Sequence, residues 1–161
     1  MSTMTTHPEA EIIVAEDVPL VRIIREFDAP AAKVYRAHID PDLFSQWIGP
    51  EKRGATIDRW DFQTGGSYRY VIASDGFEAG FNGVFHELRE NQLIVQTFSW
   101  EGMPDGVALE KYVFEDLPDG RSRLTTTSLV DSFADRDAFV ASGMESGVVE
   151  GYNKLDDLLA A

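Results

Sequence analysis

The chain has 161 residues, of which 28 are Asp or Glu and only 14 are Lys or Arg, and its net charge at pH 7 is −14. This charge repels phosphate backbones and anionic lipid headgroups, so it argues against nucleic acid and membranes as partners. The sequence contains no cysteine, which excludes disulfides, thiolate nucleophiles and thiolate zinc sites.

The N-terminal segment lacks the features of a targeting sequence. MSTMTTHPEAE has no basic start followed by an apolar core, and the chain has no apolar run of about 18 residues that would suit a membrane span. We therefore predict a cytoplasmic protein. Residues 1–17 are expected to form a flexible tail and residues 18–161 a single domain, since this length suits one core.

The element order begins with a strand and two short helices. Residues 18–27, VPLVRIIREF, are rich in β-branched residues and partly alternate, which is typical of a strand. Two helical segments follow, DAPAAKVYRAH at 28–38 and DPDLFSQWIGP at 40–50. In the second, Asp40 is predicted to be the N-cap and Pro41 the first helical residue.

Six further segments have the composition of strands and are separated by short turn sequences such as TGG, SDG and LPDG. They cover residues 55–62, 67–74, 77–88, 93–100, 107–115 and 121–130. Short turns between consecutive strands predict an antiparallel meander, because parallel strands need long crossover connections.

The C-terminal region is predicted to be helical again. Ser132, followed three residues later by Asp135, predicts a capped short helix, and SGMESGVVEGYNKLDDLL at 142–159 predicts a long one. The elements together predict an α+β fold in which the long C-terminal helix covers one face of an antiparallel sheet of about seven strands. A space between the sheet and the helix is an expected product of this arrangement.

Three glycines, Gly143, Gly147 and Gly151, lie four residues apart in the long helix. A glycine inside a helix costs ~1 kcal/mol relative to alanine, so this stripe needs a physical reason. Gly143 lies near the start and is interpreted as a cap. Gly147 and Gly151 either allow close packing of the helix or leave a cavity for a ligand, and the two interpretations do not exclude each other.

Aromatic side chains give the main indication of function. Tyr68 and Tyr70 share one strand face, as do Phe98 and Trp100, because strand residues alternate between faces. Any single ring is explained better as core, but as a set the rings predict an apolar pocket, with tyrosine and tryptophan polar atoms able to orient a ligand. The predicted ligand-binding residues are Trp47, Tyr68, Tyr70, Phe85, Phe98, Trp100, Tyr112, Phe114 and Tyr152, with Met144 and Val148 beside Tyr152 on the helical wall.

Catalytic and metal-binding residues are scarce. The three histidines are His7, His38 and His86, and no spacing supports a metal site formed by His38, His86 and Glu87. His86 or Glu87 is the candidate general acid or base if it faces the cavity. Both faces of this strand carry apolar residues, so the sequence does not decide which face points into the cavity.

No motif for nucleophilic or nucleotide chemistry occurs: G-x-S-x-G, a P-loop, G-x-G-x-x-G and H-E-x-x-H are all absent from the sequence. We predict no metal and no cofactor, and the sequence favours a binding protein over an enzyme. The loops DGF and EGMPDG are ordinary hairpin connections or form the mouth of the cavity, with Met103 over its entrance.

Several stretches carry a family resemblance: FDAPAAKVYRAHIDPDLFSQWIGP at 27–50, GGSYRY at 65–70, GFNGVFHEL at 80–88, IVQTFSWEGMP at 94–104, GRSRLTTTS at 120–128 and the glycine-bearing helix at 142–159. In this order they resemble the SRPBCC superfamily, nearest to the branch named for the C-terminal domain of the activator of the Hsp90 ATPase. The resemblance spans residues 18–159. It implies a helix-grip fold, in which a curved antiparallel sheet wraps a long C-terminal helix around a mostly apolar cavity.

The resemblance does not imply one activity, because relatives include lipid and hormone carriers, aromatic polyketide cyclases, toxin-resistance proteins and the eukaryotic co-chaperone. The co-chaperone also has a separate N-terminal domain for which 161 residues leave no room. Three hypotheses follow: a protein that binds a small apolar or aromatic ligand, a co-chaperone-like module of the stress response with a chaperone partner, and a cyclase, dehydratase or hydrolase with a buried acid or base. Association with a second copy of the chain is left open.

Overall fold

The computed structural model describes residues 7–49, 54–74 and 76–161. Eight strands and four helices occur in this part of the chain, with one short 3-10 turn at Pro118–Gly120. In chain order they are β1 Glu11–Val14, β2 Leu20–Phe27, α1 Ala31–Ile39, α2 Pro41–Trp47, β3 Thr56–Trp60, β4 Ser67–Ser74, β5 Phe77–Arg89, β6 Leu93–Trp100, β7 Val107–Asp116, β8 Ser122–Leu129, α3 Phe133–Ala141 and α4 Met144–Ala160.

All eight strands form one antiparallel sheet in the order β1-β2-β8-β7-β6-β5-β4-β3. The strands from β3 to β8 follow one another as the turn sequences predict, and β2 then closes against β8. The predicted α+β class, with an antiparallel sheet and a C-terminal helix, is confirmed. None of the helices in the described ranges is long and apolar enough to cross a membrane.

The helix boundaries follow from local chemistry that the sequence already carries. The Asp40 side chain accepts a hydrogen bond from the Asp42 amide at 2.9 Å, and Pro41 is the first residue of α2. At the start of α3, Ser132 accepts from the Asp135 amide at 3.0 Å. Gly143 caps α4 with a φ of 88°, a left-handed conformation that favours glycine. These predicted caps are confirmed.

The prediction of a flexible tail over residues 1–17 is wrong for its second half. Glu11–Val14 form β1, which pairs with β2 along the edge of the sheet and places Ile12 opposite Ile23. Ile12 packs against the core, so burial of this side chain favours the strand. The additional strand explains why the sheet has eight strands instead of about seven. Residues 1–6 lie outside the described residues.

The core lies between the inner face of the sheet and the helices. Alternate residues of β2, including Val21, Ile23 and Phe27, point inward and are buried. From α4, Tyr152 and Leu155 meet this face, and the Phe27 and Tyr152 rings contact each other edge to face with centroids 5.6 Å apart. The helix thus covers the sheet at this end, and a cavity remains beyond Tyr152.

Candidate functional site

A cavity of about 320 Å³ lies between the inner face of the sheet, α2 and α4. Its sheet wall consists of side chains from β3 to β8, and Ile23 adds a side chain from β2. Its helical wall consists of Met144, Gly147, Val148, Gly151 and Tyr152, all on α4. This volume is within the range of small-molecule pockets, and most of the lining is apolar or aromatic.

Most of the aromatic and helical residues singled out in the sequence lie in this lining. They come from six elements between α2 and α4, and the fold brings them around one space. The predicted residues that line the cavity are Trp47, Tyr68, Tyr70, Phe85, Phe98, Tyr112, Met144, Val148 and Tyr152. Their role in binding a ligand stays a prediction.

Two of the predicted residues lie elsewhere. Trp100 is 46% exposed; it is the last residue of β6, and its ring lies over Gly102 in the turn that follows. Alternation places it on the face of Phe98, but the strand ends there and the ring folds outward over the turn. Phe114 is buried in the core, because α1 packs on this end of β7 and Tyr35 and His38 both lie 5.3 Å from its ring centroid.

The two interior glycines of the stripe have different surroundings. A Cβ atom added to Gly147 would meet no atom within 4 Å, so this glycine borders open space in the cavity. A Cβ atom at Gly151 would lie 3.5 Å from the Trp47 carbonyl oxygen and 3.8 Å from the Trp47 ring. Gly151 therefore lies against α2 with room for a methyl group but not for a large side chain, while Gly147 borders the empty part of the cavity.

The candidate acid and base residues of β5 do not reach the cavity. The register shifts between Phe85 and Glu87, so the strand contains a bulge there. Because the bulge interrupts alternation, Phe85 and Leu88 both pack on the inner side, and His86 is exposed. The Glu87 side chain is 43% exposed and lies 3.6 Å from Arg89. The assignment of His86 or Glu87 as a buried acid or base is therefore wrong.

The carboxylate that lines the cavity is Glu110 on β7. The Tyr112 hydroxyl donates to its Oε1 at 2.9 Å, and the Gln96 amide donates to the same oxygen at 3.2 Å. The Ser128 hydroxyl donates to Oε2 at 2.8 Å. Burial raises the pKa of Glu110, because the charged form loses hydration, although these three hydrogen bonds oppose the rise.

Glu110 was not identified from the sequence, although a signal was present. Residues 108, 110, 112, 114 alternate on β7, so Glu110 shares a face with Tyr112 and Phe114, which were both predicted to face inward. A charged residue on a predicted inner face identifies a site that the fold must stabilise by hydrogen bonds.

A hydrogen-bond chain fixes the orientation of the Gln96 amide. The Tyr68 hydroxyl donates to the Thr97 carbonyl oxygen at 2.6 Å, so its remaining lone pairs accept from Gln96 Nε2 at 3.2 Å. Both N–H groups of this amide are then used, one on Tyr68 and one on Glu110. The donors around Glu110 are held in place by the sheet before any ligand arrives.

His38 on α1 also borders the cavity and is almost completely buried. Its Nδ1 lies 2.7 Å from the Val34 carbonyl oxygen; because a carbonyl only accepts, Nδ1 carries the proton and Nε2 is a bare acceptor. Nε2 is buried and has no hydrogen-bond partner among the residues that the structure describes. Burial lowers the pKa of His38 to about 4, against the opposing effect of the Val34 hydrogen bond, so the ring is neutral at pH 7.

Neither a metal centre nor the predicted loop contacts are found at the cavity. In residues 7–49, 54–74 and 76–161, no group of three His, Asp or Glu side chains is arranged to hold a metal ion. Met103, predicted to lie over the entrance, is 57% exposed and does not contribute to the lining. Ile48 and Gly49 after α2, together with Phe139 of α3, border the cavity beside Met144.

Solved structures of similar fold cover nearly the whole chain. A protein from Arthrobacter aurescens is 25% identical with a TM-score of 0.85, and the match covers 93% of this chain and 91% of that one. A protein from Mycobacterium smegmatis is 22% identical with a TM-score of 0.84 over 94% and 97% of the two chains. One from Rhodobacter sphaeroides is 22% identical with a TM-score of 0.83 over 94% and 98%.

The match to a family model is the finding that assigns the chain. No curated protein matches the sequence. The model described as "Activator of Hsp90 ATPase homolog 1-like protein" matches residues 28–160, which include every element from α1 to α4 and the whole helical wall of the cavity. This agrees with the resemblance carried by the motifs. The chain belongs to the family of Activator of Hsp90 ATPase homolog 1-like proteins.

Proposed function

We propose that the protein binds a small apolar or aromatic molecule in the cavity between the sheet and α4. The observation that carries this proposal is the open space beside Gly147, inside a helix where glycine is unfavourable. Packing does not explain this residue, since a Cβ atom would meet nothing within 4 Å. A bound ligand would fill the empty volume beside Gly147.

The lining supports an aromatic or polycyclic ligand. Aromatic rings bind flat apolar surfaces through burial and through offset or edge-to-face contacts. Tyr68 and Tyr70 lie stacked with centroids 6.2 Å apart, and Tyr70, Phe81 and Phe98 continue the row at 5.3 Å and 5.4 Å. This row forms an aromatic surface across β4, β5 and β6, opposite the glycine-bearing helix.

Filling the space beside Gly147 tests the proposal. We expect Gly147→Leu to fold normally and to bind the neutral probe naphthalen-2-ylmethanol at least about tenfold more weakly than the wild type, because the leucine occupies ligand volume. Calorimetric titration measures the affinity, and circular dichroism verifies the fold. Gly147→Ala is the matched control: it adds only Cβ, should retain binding, and should raise the unfolding free energy by up to ~1 kcal/mol. Undiminished binding by Gly147→Leu would contradict the cavity as the site.

A second candidate function is a chaperone-linked one, for which the family description is the specific observation. The outer face of the sheet carries exposed apolar side chains at Leu109 and Leu129, which are neighbours in the β7–β8 register and suit a protein contact. Stimulation of the ATPase rate of a purified Hsp90 by the wild type, and its loss in a Leu109→Ser variant, would favour this function over the first.

A further inference from the structure

Among the residues that the structure describes, Glu110 is the one carboxylate that lines the cavity, and no cationic side chain accompanies it. Among the lining residues in the part of the chain that the structure describes, there is neither lysine nor arginine, and His38 is neutral. All three groups that donate to Glu110, from Gln96, Tyr112 and Ser128, are uncharged. A buried charge of this kind is normally paired with an opposite charge.

The carboxylate has acceptor capacity left. Two carboxylate oxygens offer about four lone-pair positions. The hydrogen bonds from Tyr112 and Gln96 use those on Oε1, and the one from Ser128 uses one of the two on Oε2. One position on Oε2 therefore remains for a donor from outside the network.

The surroundings of Glu110 also favour a positive group. Tyr68, Tyr70, Tyr112 and Tyr152 line the same cavity as Glu110, and burial raises the pKa of each, so all four are neutral at pH 7. Aromatic rings attract cations through their negative faces. Inside an apolar cavity, where screening by water is weak, a ligand charge opposite to that of Glu110 interacts strongly with it.

A carboxylate on the ligand would be disfavoured in this cavity. No basic side chain in the described lining is available to pair with it, and it would lie beside Glu110 in a low-dielectric space. The net charge of −14 adds a weaker, long-range repulsion of anions and attraction of cations. The cavity therefore discriminates by charge as well as by shape.

We propose that the natural ligand is an organic amine: an aromatic or polycyclic molecule whose ammonium group donates to Glu110 while its apolar body packs on the tyrosine-rich wall. This inference rests on the proposed function, because it assigns the ligand class of the same cavity. Glu110 supplies the negative charge, and Gln96, Tyr112 and Ser128 hold it in position.

Three bicyclic probes of one shape and different charge test this inference. Naphthalen-2-ylmethylamine is cationic at pH 7, naphthalen-2-ylmethanol is neutral and naphthalene-2-carboxylic acid is anionic. We expect calorimetric titration of the wild type at low salt to give at least about tenfold tighter binding of the amine than of the alcohol, and no measurable binding of the acid.

Two variants assign the preference to Glu110. In Glu110→Gln, which keeps the side-chain shape, the amine should bind no more tightly than the alcohol, while the alcohol affinity stays within about threefold of wild type. Glu115→Gln is the matched control, because it removes one negative charge from an exposed position on the same strand; it should preserve the amine preference. The wild-type ranking of the three probes stands as evidence even if a variant misfolds.

The outcomes separate the two proposals. Equal affinities for amine and alcohol, the tightest binding by the acid, or an amine preference that survives Glu110→Gln would each overturn the amine assignment. If Gly147→Leu still abolished binding of the alcohol in those cases, the cavity function would stand. Absence of binding by all three probes to the wild type would overturn both.

Discussion

At the scale of single residues, His38 and Glu110 are two cavity residues whose ionisation is made less favourable by folding. Burial holds the pKa of His38 below its usual value and that of Glu110 above it, because the charged form of each loses hydration. Neither residue has a partner of opposite charge among the described residues. They impose opposite dependences of stability on pH, which allows them to be separated by mutation.

The His38 contribution is expected at acid pH. Its pKa is about 4 in the folded state and near 6.5 in the unfolded chain. Between these pH values the unfolded chain binds a proton at His38 and the folded chain does not. The contribution of His38 to the unfolding free energy is therefore fully present above pH 6.5. It falls as the pH is lowered toward 4, by about 3 kcal/mol in all. Urea denaturation at a series of pH values measures this loss.

His38→Phe is the matched variant, since a phenyl ring preserves the contacts with Trp47, Tyr112 and Phe114 and cannot titrate. The unfolding free energy of the wild type should fall relative to that of the variant as the pH is lowered from 6.5 to 4. Outside this range the difference between the two proteins should stay constant. Glu110 contributes equally to both proteins and cancels. Parallel curves across this range would show that His38 is not buried in its neutral form.

At the scale of elements, an ionic contact joins β2 to α4. The Arg25 side chain is 1% exposed, donates to Asn153 Oδ1 at 3.0 Å, and lies 4.0 Å from the Asp156 carboxylate. Its guanidinium also lies 4.7 Å from the centre of the Phe27 ring. Burial lowers the pKa of Arg25, and Asp156 provides the main opposing interaction, so this buried cation depends on the carboxylate of α4.

Removing that carboxylate should loosen the helix. We expect Asp156→Asn to lower the unfolding free energy by about 2 kcal/mol, because buried Arg25 loses its nearest carboxylate and keeps only the weaker interactions with Asp28 and Asp157. The neighbouring Asp157 is the control: its side chain is 65% exposed and pairs with His7 at the surface, so Asp157→Asn should change the free energy by less than about 0.5 kcal/mol. Chemical denaturation compares the two, and equal losses would refute a special role for Asp156.

The elements also show which predictions from sequence were possible. Long strands with turn sequences between them, and the caps at Asp40, Ser132 and Gly143, depend on local chemistry and were predicted correctly. The strand β1 was missed because four residues carry too short a pattern to be recognised without their partner β2. The bulge beside Phe85 depends on pairing between strands, so the positions of His86 and Glu87 did not follow from alternation.

The same limit applies to the site. The aromatic residues predicted from sequence include five of the fourteen sheet residues that line the cavity, and strand alternation would have identified Glu110 had it been applied to β7. It did not predict the exposure of Trp100, because that depends on where the following turn carries the ring. The sequence of α4 also does not distinguish Gly147 from Gly151. The two differ only in the folded chain, where Trp47 lies beside Gly151.

At the scale of the whole molecule, the chain combines a net charge of −14 with an apolar cavity in which Glu110 is the one carboxylate among the described residues. The region matched by the family model includes α4 and the strands β3 to β8, which supply most of the cavity wall. The proposed function requires that a small molecule enters this space. The three tryptophans of the sequence allow that claim to be tested in one experiment.

The measurement is a proton–nitrogen NMR titration of the indole N–H signals with naphthalen-2-ylmethanol. Trp47 and Trp60 line the cavity, with their indole N–H groups bonded to the Ala37 and Ile39 carbonyls, whereas Trp100 lies outside it. We expect the Trp47 and Trp60 signals to shift together along one saturating curve while Trp100 stays fixed. A shift of Trp100 alone, or no shift at saturating probe, would contradict binding in the cavity.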